Sequence, residues 1–204
     1  DIGASVENRK TMINVVEKTA EKVFIPLTVG GGVRTIEDIR ALLKAGADKV
    51  SINTAGILNQ KLISDSSKRF GKQCIVAAVD AKKTKKSWKV YSHGGTKETG
   101  LDAIEWMKQL EKLGAGEILL TSMDKDGTNE GFDYSLLKTA SDRLNIPIIA
   151  SGGAGKLSHF KEAVTEGNAS ALLAASVFHF AKFSIIEVKK YLKKENIKIR
   201  YLNE

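Results

Sequence analysis

An aspartate and two glycine clusters are the residues whose types and positions best suit chemistry. Asp80 closes the apolar run "CIVAAVD", whereas the clusters read "VGGG" at 29–32 and "SGGAG" at 151–155. A carboxylate at the end of a buried strand is partly desolvated, so its pKa tends to rise toward neutral pH, which suits general acid–base catalysis. The same position equally suits an aspartate that caps the turn "DAKK".

Each glycine cluster follows a proline and a short apolar run, and each precedes a helical pattern. Glycine lets backbone N–H groups approach an anion without a Cβ in the way, and the next helix adds the positive end of its dipole. A tight strand-to-helix turn explains either cluster alone. The two clusters together favour a pair of phosphate sites.

The clusters belong to an internal repeat with an offset of 121 residues. The positions that match without a gap are Pro26 with Pro147, Gly31 with Gly152, Gly32 with Gly153, Gly46 with Gly167 and Val50 with Ala171. A duplicated half-barrel would give such an offset, although all strand–helix units share some of these features. A repeated phosphate site predicts a long substrate with a phosphate at each end.

The segment "SMDKDGT" carries further candidate binding residues. We expect Asp124 and Asp126 to contact substrate hydroxyls and the Gly127 backbone to contact a phosphate. A cation site is disfavoured, because a third and a fourth ligand at suitable spacing are missing. Cys74 begins a predicted strand and is expected to be buried and inert. The sequence therefore does not predict a metal site.

The elements that must position these residues alternate along the chain. The apolar strand patterns are "FIPLTV", "DKVSINT", "QCIVAAVDA", "EILLTSM", "IPIIAS" and "ASALLAAS". Continuous apolar strands that alternate with helical patterns are typical of a parallel sheet covered by helices. Thr35 and Asp38 predict a capping box, Gly46 a helix stop and Thr99 a helix cap. The long segment after Asp80 predicts a hairpin with one strand at residues 88–91.

The fold class that this pattern predicts is α/β, a (β/α)8 TIM barrel. A complete barrel needs about 250 residues, whereas this chain has 204 and starts at Asp1 without a methionine. We therefore expect one incomplete domain, residues 1–204, which lacks the first strand, the first helix and most of the second strand. A doubly wound open sheet is the alternative, but the glycine clusters recur at more than one strand end.

Composition excludes several functional classes. The net charge is +8, but the lysines are spread along the chain without a nucleic-acid motif. This positive charge also suits an anionic small substrate. Apolar runs are too short for a membrane span. The single cysteine predicts a reducing, cytoplasmic location without an internal disulfide.

The combined motifs resemble one family, the cyclase subunit of imidazole glycerol phosphate synthase. They are "PLTVGGGV", "GADKVSINTA", "VAAVDAK", "GAGEILLTSMDKDGT", "IPIIASGGAG" and "AASVFHF". The resemblance implies that ammonia from a docked glutaminase subunit passes through the barrel. There it converts phosphoribulosyl-formimino-aminoimidazole carboxamide ribonucleotide, which carries two phosphates, into imidazole glycerol phosphate and aminoimidazole carboxamide ribotide. No cofactor is implied.

The resemblance also implies roles for individual positions. Asp80 matches one of two catalytic aspartates. One phosphate site is matched by Gly32, Asn53 and Thr54, and the other by Gly127, Gly153, Ala175 and Ser176. Thr121 and Ser151 match polar residues that line the pocket. The entrance for ammonia is matched by Lys49 and Glu117, and a glutaminase contact by Asp48.

Part of the family pattern is missing from this sequence. The second catalytic aspartate and a flexible active-site loop would precede Asp1, so we expect residues 1–204 alone to show no turnover. Two alternatives to the cyclase stay open. One is the related isomerase of phosphoribosyl-formimino aminoimidazole carboxamide ribotide, which needs no ammonia. The other is a non-catalytic scaffold, or inactive fragment, that docks a glutaminase.

Overall fold

The computed structural model describes Asp1 and residues 12–200. Its strands are β1 Thr28–Gly30, β2 Lys49–Ile52, β3 Ile75–Lys83, β4 Trp88–Ser92, β5 Lys97–Asp102, β6 Glu117–Ser122, β7 Ile148–Ser151 and β8 Ala171–Leu172. Its helices are α1 Ile13–Ala20, α2 Ile36–Lys44, α3 Thr54–Leu58, α4 Gln60–Phe70, α5 Ala103–Lys112, α6 Tyr134–Ser141, α7 Leu157–Thr165, α8 Ser176–His179 and α9 Ile185–Lys194. A 3₁₀ turn at Lys72–Cys74 precedes β3.

The chain divides into two compact units, residues 1–119 and 120–204. Strand β6 begins in the first unit and ends in the second. All six strands predicted from the apolar patterns are present, and the predicted helices follow them. The helical spacing of the apolar residues in "KTMINVVEKTAEKV" predicts one more helix before the first strand. It is observed as α1, although residues 10 and 11 lie outside the described part of the chain.

The sheet of the first unit is parallel from β1 to β3. Val29 pairs with Val50 between β1 and β2, and Val50 pairs with Ile75 between β2 and β3. Alternate residues of β3 are fully buried, since Ile75, Ala77, Val79 and Ala81 are 0% exposed. Because side chains alternate across a strand, Asp80 lies on the other face of β3.

Strand β3 continues beyond Asp80, which corrects the prediction that the aspartate ends the strand. Asp80 pairs with Tyr91 and Lys83 with Trp88 in an antiparallel ladder between β3 and β4. Strand β5 completes the hairpin that the sequence predicts after Asp80. Asp80 therefore lies beyond the ladder with β2, which ends at Ala77, and at the start of the hairpin.

Two other local predictions are wrong at the strand and helix ends. Thr99 does not cap a helix, because it lies in β5 and donates its hydroxyl to the Val90 carbonyl. Asp102 caps α5 instead, accepting from the N–H groups of Ile104 and Glu105. Strand β1 is only three residues long. Pro26 lacks an N–H group for a ladder, and Phe24 before it is 93% exposed.

The capping box at the start of α2 is confirmed. The Thr35 hydroxyl accepts from the Asp38 N–H, and the Asp38 carboxylate accepts from the Thr35 N–H at 3.0 Å. The equivalent turn in the second unit, 121 residues later, begins α7. There His159 replaces the aspartate, and its Nδ1 accepts from the N–H groups of Gly155 and Lys156 at 3.2 and 3.3 Å. The turn geometry is therefore repeated with a different acceptor.

Replacing Thr35 with alanine is expected to lower the free energy of unfolding by about 1 kcal/mol, because the first turn of α2 loses its hydroxyl acceptor. Urea titration followed by circular dichroism measures this change. Ser64→Ala is the matched control, since Ser64 lies in α4 and its hydroxyl donates, among the described residues, only to the Lys61 carbonyl at 3.1 Å. An equal loss in both variants would contradict the assigned cap.

The repeat differs at the end of the helix. Gly46 has a φ of +103° after α2, whereas the residue with positive φ after α7 is Asn168, at 54°. Gly167 is required for space instead, because a Cβ there would lie 2.7 Å from the Ala163 carbonyl oxygen and 3.0 Å from the Leu137 side chain. The matched glycines at Gly46 and Gly167 therefore serve different purposes.

Candidate active site

Asp80 and Asn53 meet in the first unit beyond the carboxyl ends of the paired parallel strands. The Asn53 side-chain Nδ2 donates to Asp80 Oδ2 at 2.9 Å, and both residues are half-buried. A donor held against one carboxylate oxygen favours the ionised form and fixes the orientation of the group. The pair therefore presents an oriented carboxylate, as a general base requires.

Asn53 has a second polar atom that is ready for a ligand. Its Oδ1 is buried and has no hydrogen-bond partner among the described residues. Buried acceptors in proteins are almost always paired, so an orphan acceptor beside a carboxylate is a feature of a binding site. A donor such as an N–H or O–H group of a bound molecule would satisfy it.

Thr54 begins the short helix α3, directly after Asn53. Its hydroxyl accepts from the His93 N–H in the turn of the hairpin at 2.8 Å. A hydroxyl that accepts this bond keeps its own hydrogen for another acceptor. Thr54 therefore connects the hairpin to the end of β2 and can also donate to an anion.

Each unit contains the same arrangement of a glycine turn and a short helix on two neighbouring parallel strands. In the first unit, Gly31 and Gly32 follow β1 with φ of 93° and 70°, and α3 follows β2. In the second unit, Gly152 and Gly153 follow β7 with φ of 91° and 104°, and α8 follows β8. Short helices at this position are common in the phosphate sites of (β/α)8 barrels.

The two short helices were not predicted from the sequence. They have five and four residues, "TAGIL" and "SVFH", which is too short for helical periodicity to appear. Ala175 and Ser176 are exposed at the start of α8, where Ala175 precedes the first helical residue. The resemblance assigns both residues to the second phosphate site, and that assignment stays a prediction.

The glycines after β7 also make room for the segment that follows β6. A Cβ on Gly152 would lie 2.8 Å from the Ser122 carbonyl oxygen, and one on Gly153 would lie 2.1 Å from the Gly131 carbonyl oxygen. The Gly131 N–H donates to the Gly153 carbonyl oxygen at 2.8 Å. This cluster therefore has a packing role as well as any role toward a ligand.

Gly127, in the segment that follows β6, has open space where a Cβ would be, unlike Gly152 and Gly153. Its φ is +75°, it is exposed, and nothing lies within 4 Å of the place where a Cβ would be. Asp126 beside it is exposed, and its N–H bonds the Ser122 carbonyl at 2.9 Å. Thr121 in β6 and Ser151 at the end of β7 are half-buried. These four residues keep surface that a substrate could reach.

Lys49 and Glu117 form an ion pair at the amino ends of β2 and β6. Their side chains are 27% and 22% exposed, so the pair is more protected than a surface ion pair. Asp48 beside it is exposed, and its carboxylate accepts from the Leu27 N–H at 2.7 Å. Asp48 is next to Lys49 in the sequence, and Lys49 contacts Glu117 directly. The three charged residues predicted at this end therefore lie together.

Ser122 is a polar residue that sequence reasoning missed. It is 2% exposed, and its hydroxyl lies 3.4 Å from Asp133 Oδ2.

Cys74 is half-buried, not fully buried as predicted, because it lies in the 3₁₀ turn before β3. Among the described residues, no three acidic, histidine or cysteine side chains group in a way that could hold a metal ion.

Parallel strands joined by helices, with glycine turns and polar residues after the strands, define this chain as an α/β protein of the (β/α)8-barrel class. The model of the histidine biosynthesis protein family matches residues 1–184, and the chain belongs to that family. The family consists of enzymes of histidine biosynthesis and includes both the cyclase and the isomerase. In the described part of the chain, no helix has the length and hydropathy needed to cross a membrane.

Proposed function

We propose that this protein acts as the cyclase subunit of imidazole glycerol phosphate synthase. In this reaction, ammonia converts phosphoribulosyl-formimino-aminoimidazole carboxamide ribonucleotide into imidazole glycerol phosphate and aminoimidazole carboxamide ribotide. The observation that carries the proposal is the glycine turn and short helix that occur once in each unit. A substrate with two terminal phosphates requires two such sites, a requirement that the cyclase shares with the isomerase.

Asp80 is the group to which we assign proton transfer. Ammonia must attack a carbonyl carbon and lose protons while the carbonyl oxygen leaves as water, a C–N bond must break, and the imidazole ring must close. A carboxylate held by Asn53 Nδ2 can accept a proton at one of these steps and return it at another. The scheme also needs a second acid–base group, which the resemblance assigns to another aspartate.

The Lys49–Glu117 ion pair supports the use of ammonia from a glutaminase partner. The pair lies at the amino ends of two parallel strands, whereas Asn53 and Asp80 lie toward the carboxyl ends of β2 and β3. Charged groups there could admit ammonia and respond to a docked protein. Asp48 would contribute to the same docking surface.

Replacing Lys49 with methionine is expected to lower glutamine-dependent turnover about tenfold, because communication between two protein sites is typically worth 5- to 150-fold. Turnover with added ammonium salt should stay within about twofold, because the reaction centre keeps all its groups. Steady-state assays of the protein expressed from its complete reading frame, with the glutaminase, measure both rates. Lys72→Met is the matched control, since Lys72 is exposed just before β3. Equal losses with both nitrogen sources would refute the entrance role.

Product analysis separates the cyclase from the isomerase. The protein expressed from its complete reading frame is incubated with each substrate, with and without ammonium salt. We expect imidazole glycerol phosphate to form only with the ribulosyl substrate and ammonia. Conversion of the ribosyl substrate without ammonia would instead identify the isomerase. If neither product forms and glutaminase activity rises on addition of the protein, the scaffold function is the better description.

A further inference from the structure

The hairpin formed by residues 81–99 has a concentrated positive charge. It contains one acidic residue, Glu98, and six lysines, namely Lys82, Lys83, Lys85, Lys86, Lys89 and Lys97. The net charge of this segment is therefore +5, compared with +8 for all 204 residues. A charge this concentrated creates a local positive potential that net charge alone does not describe.

The hairpin is held in a fixed orientation. Ala81 and Val90 are paired across β3 and β4 and are 0% exposed, so one face of the hairpin is packed. The turn at its inner end is attached to α3 by the bond between the His93 N–H and the Thr54 hydroxyl. The outer turn is closed by the Thr84 N–H, which donates to the Ser87 carbonyl at 2.7 Å.

Lysines follow Asp80 along β3, lie opposite β3 on the paired strand β4, and occupy the turn between these two strands. Lys82 is two residues beyond Asp80, so it lies on the same face of β3, about 7 Å further along the strand. Its cross-strand neighbour is Lys89, and like charges directly opposite each other repel. Lys85 and Lys86 occupy the outer turn and are exposed. The positive charge thus extends outward from Asp80.

Four of these six lysines form no ion pair with a described carboxylate. Within the described residues, Lys82, Lys85, Lys86 and Lys97 form no ion pair, and the Lys89 ammonium donates to the Gly100 carbonyl oxygen at 3.0 Å. An unneutralised cluster beside a site attracts anions over about 10 Å at 0.1 M salt, and further at lower salt. The cluster is therefore suited to collecting a soluble anion.

We propose that this lysine hairpin attracts the bisphosphorylated substrate and guides it to the site at Asp80. The identity of the anion rests on the proposed function, whereas the attraction of a multiply charged phosphate compound does not. A nucleic acid is the less suitable ligand, because its bases need exposed aromatic faces. Trp88 and Tyr91 are half-buried, and the ammonium groups of Lys83 and Lys82 each lie 5.9 Å from one of the two ring centres.

The test compares two triple variants that each remove three positive charges. Lys85, Lys86 and Lys97 are changed to glutamine in the hairpin variant; their side chains are exposed and form no ion pair in the described chain. Lys44, Lys68 and Lys72 are changed to glutamine in the control variant; they are exposed near the amino ends of β2 and β3 in the same unit. Thermal melts establish that both variants fold.

Association of the ribulosyl substrate is followed by stopped-flow tryptophan fluorescence without ammonia, so binding is measured without turnover. At about 10 mM salt, we expect the hairpin variant to associate about fivefold more slowly than the control, and at about 0.5 M salt the two should agree within twofold. The dissociation rate constants should be unchanged. Equal association rates at low salt would overturn the proposal, even if the cyclase activity is established by product analysis.

A titration with inorganic pyrophosphate tests the hairpin if the ribulosyl substrate does not bind. We expect the amide NMR signals of residues 82–99 to shift, with a smaller shift in the hairpin variant than in the control. An absence of shifts in this segment would overturn the proposal. Tighter binding of a 20-nucleotide single-stranded RNA, lost in the hairpin variant while pyrophosphate has no effect, would also overturn it and identify a nucleic-acid surface.

Discussion

Replacing Asp80 with asparagine is expected to lower kcat by about 10²- to 10⁴-fold, the usual contribution of a positioned acid–base group. KM should stay within about threefold, because the phosphate sites supply most of the substrate binding and are unchanged. Steady-state kinetics of the protein expressed from its complete reading frame, with ammonium salt as the nitrogen source, measures both values. Using ammonium salt removes any effect on a glutaminase partner from the result.

The asparagine variant should remain folded, because its new side-chain oxygen can still accept from Asn53 Nδ2, which lies 2.9 Å from the present carboxylate. Asp65→Asn is the matched control, since Asp65 lies in α4 and pairs with Lys61 at 3.9 Å on the surface. We expect this control to keep the wild-type rate. A rate near wild type for Asp80→Asn would rule out the proton-transfer role, whatever the family of the protein.

Replacing Gly153 with alanine is expected to lower the free energy of unfolding by at least about 3 kcal/mol. The residue has a φ of +104°, which L residues rarely adopt, and a Cβ would lie 2.1 Å from the Gly131 carbonyl oxygen. The obstacle is backbone, so rotation of a side chain cannot relieve it. Chemical denaturation, followed by circular dichroism, measures the change.

Gly127→Ala is the control for this prediction. Gly127 also has a positive φ, 75°, but the space around its Cα is open. Alanine there should therefore cost only the conformational term, about 1 kcal/mol. The difference between the two variants isolates the contact with Gly131. Equal destabilisation would show that the segment after β6 can move away from Gly153 at little cost.

Much of the fold could be predicted because it depends on short stretches of chain. The alternation of strands and helices follows from apolar strand patterns of six to nine residues, and the capping box of Thr35 and Asp38 depends on four consecutive residues. The hairpin strand near residues 88–91 was also predicted, from the length of the segment after Asp80. In each case the signal and the structure lie within the same few residues.

The wrong predictions concern residues whose partner is distant in the sequence, or residues whose type suits more than one local role. Thr99 and Asp102 are both acceptable helix caps by type, and the pairing of β5 with β4 decides between them. Asp80 looked like a strand end because apolar residues stop there, but pairing with Tyr91 extends the strand. Sequence periodicity contains no information on such pairings.

The sequence by itself determined the class of the protein, its repeat and the positions of its candidate groups. The offset of 121 residues located both glycine turns, whose φ values of 93° and 91° at Gly31 and Gly152 agree closely. Only the tertiary structure decided what those groups touch: Asn53 donates to Asp80, and Gly153 makes room for Gly131. Contacts between residues about 20 or more positions apart depend on how strands register and pack, which no local pattern records.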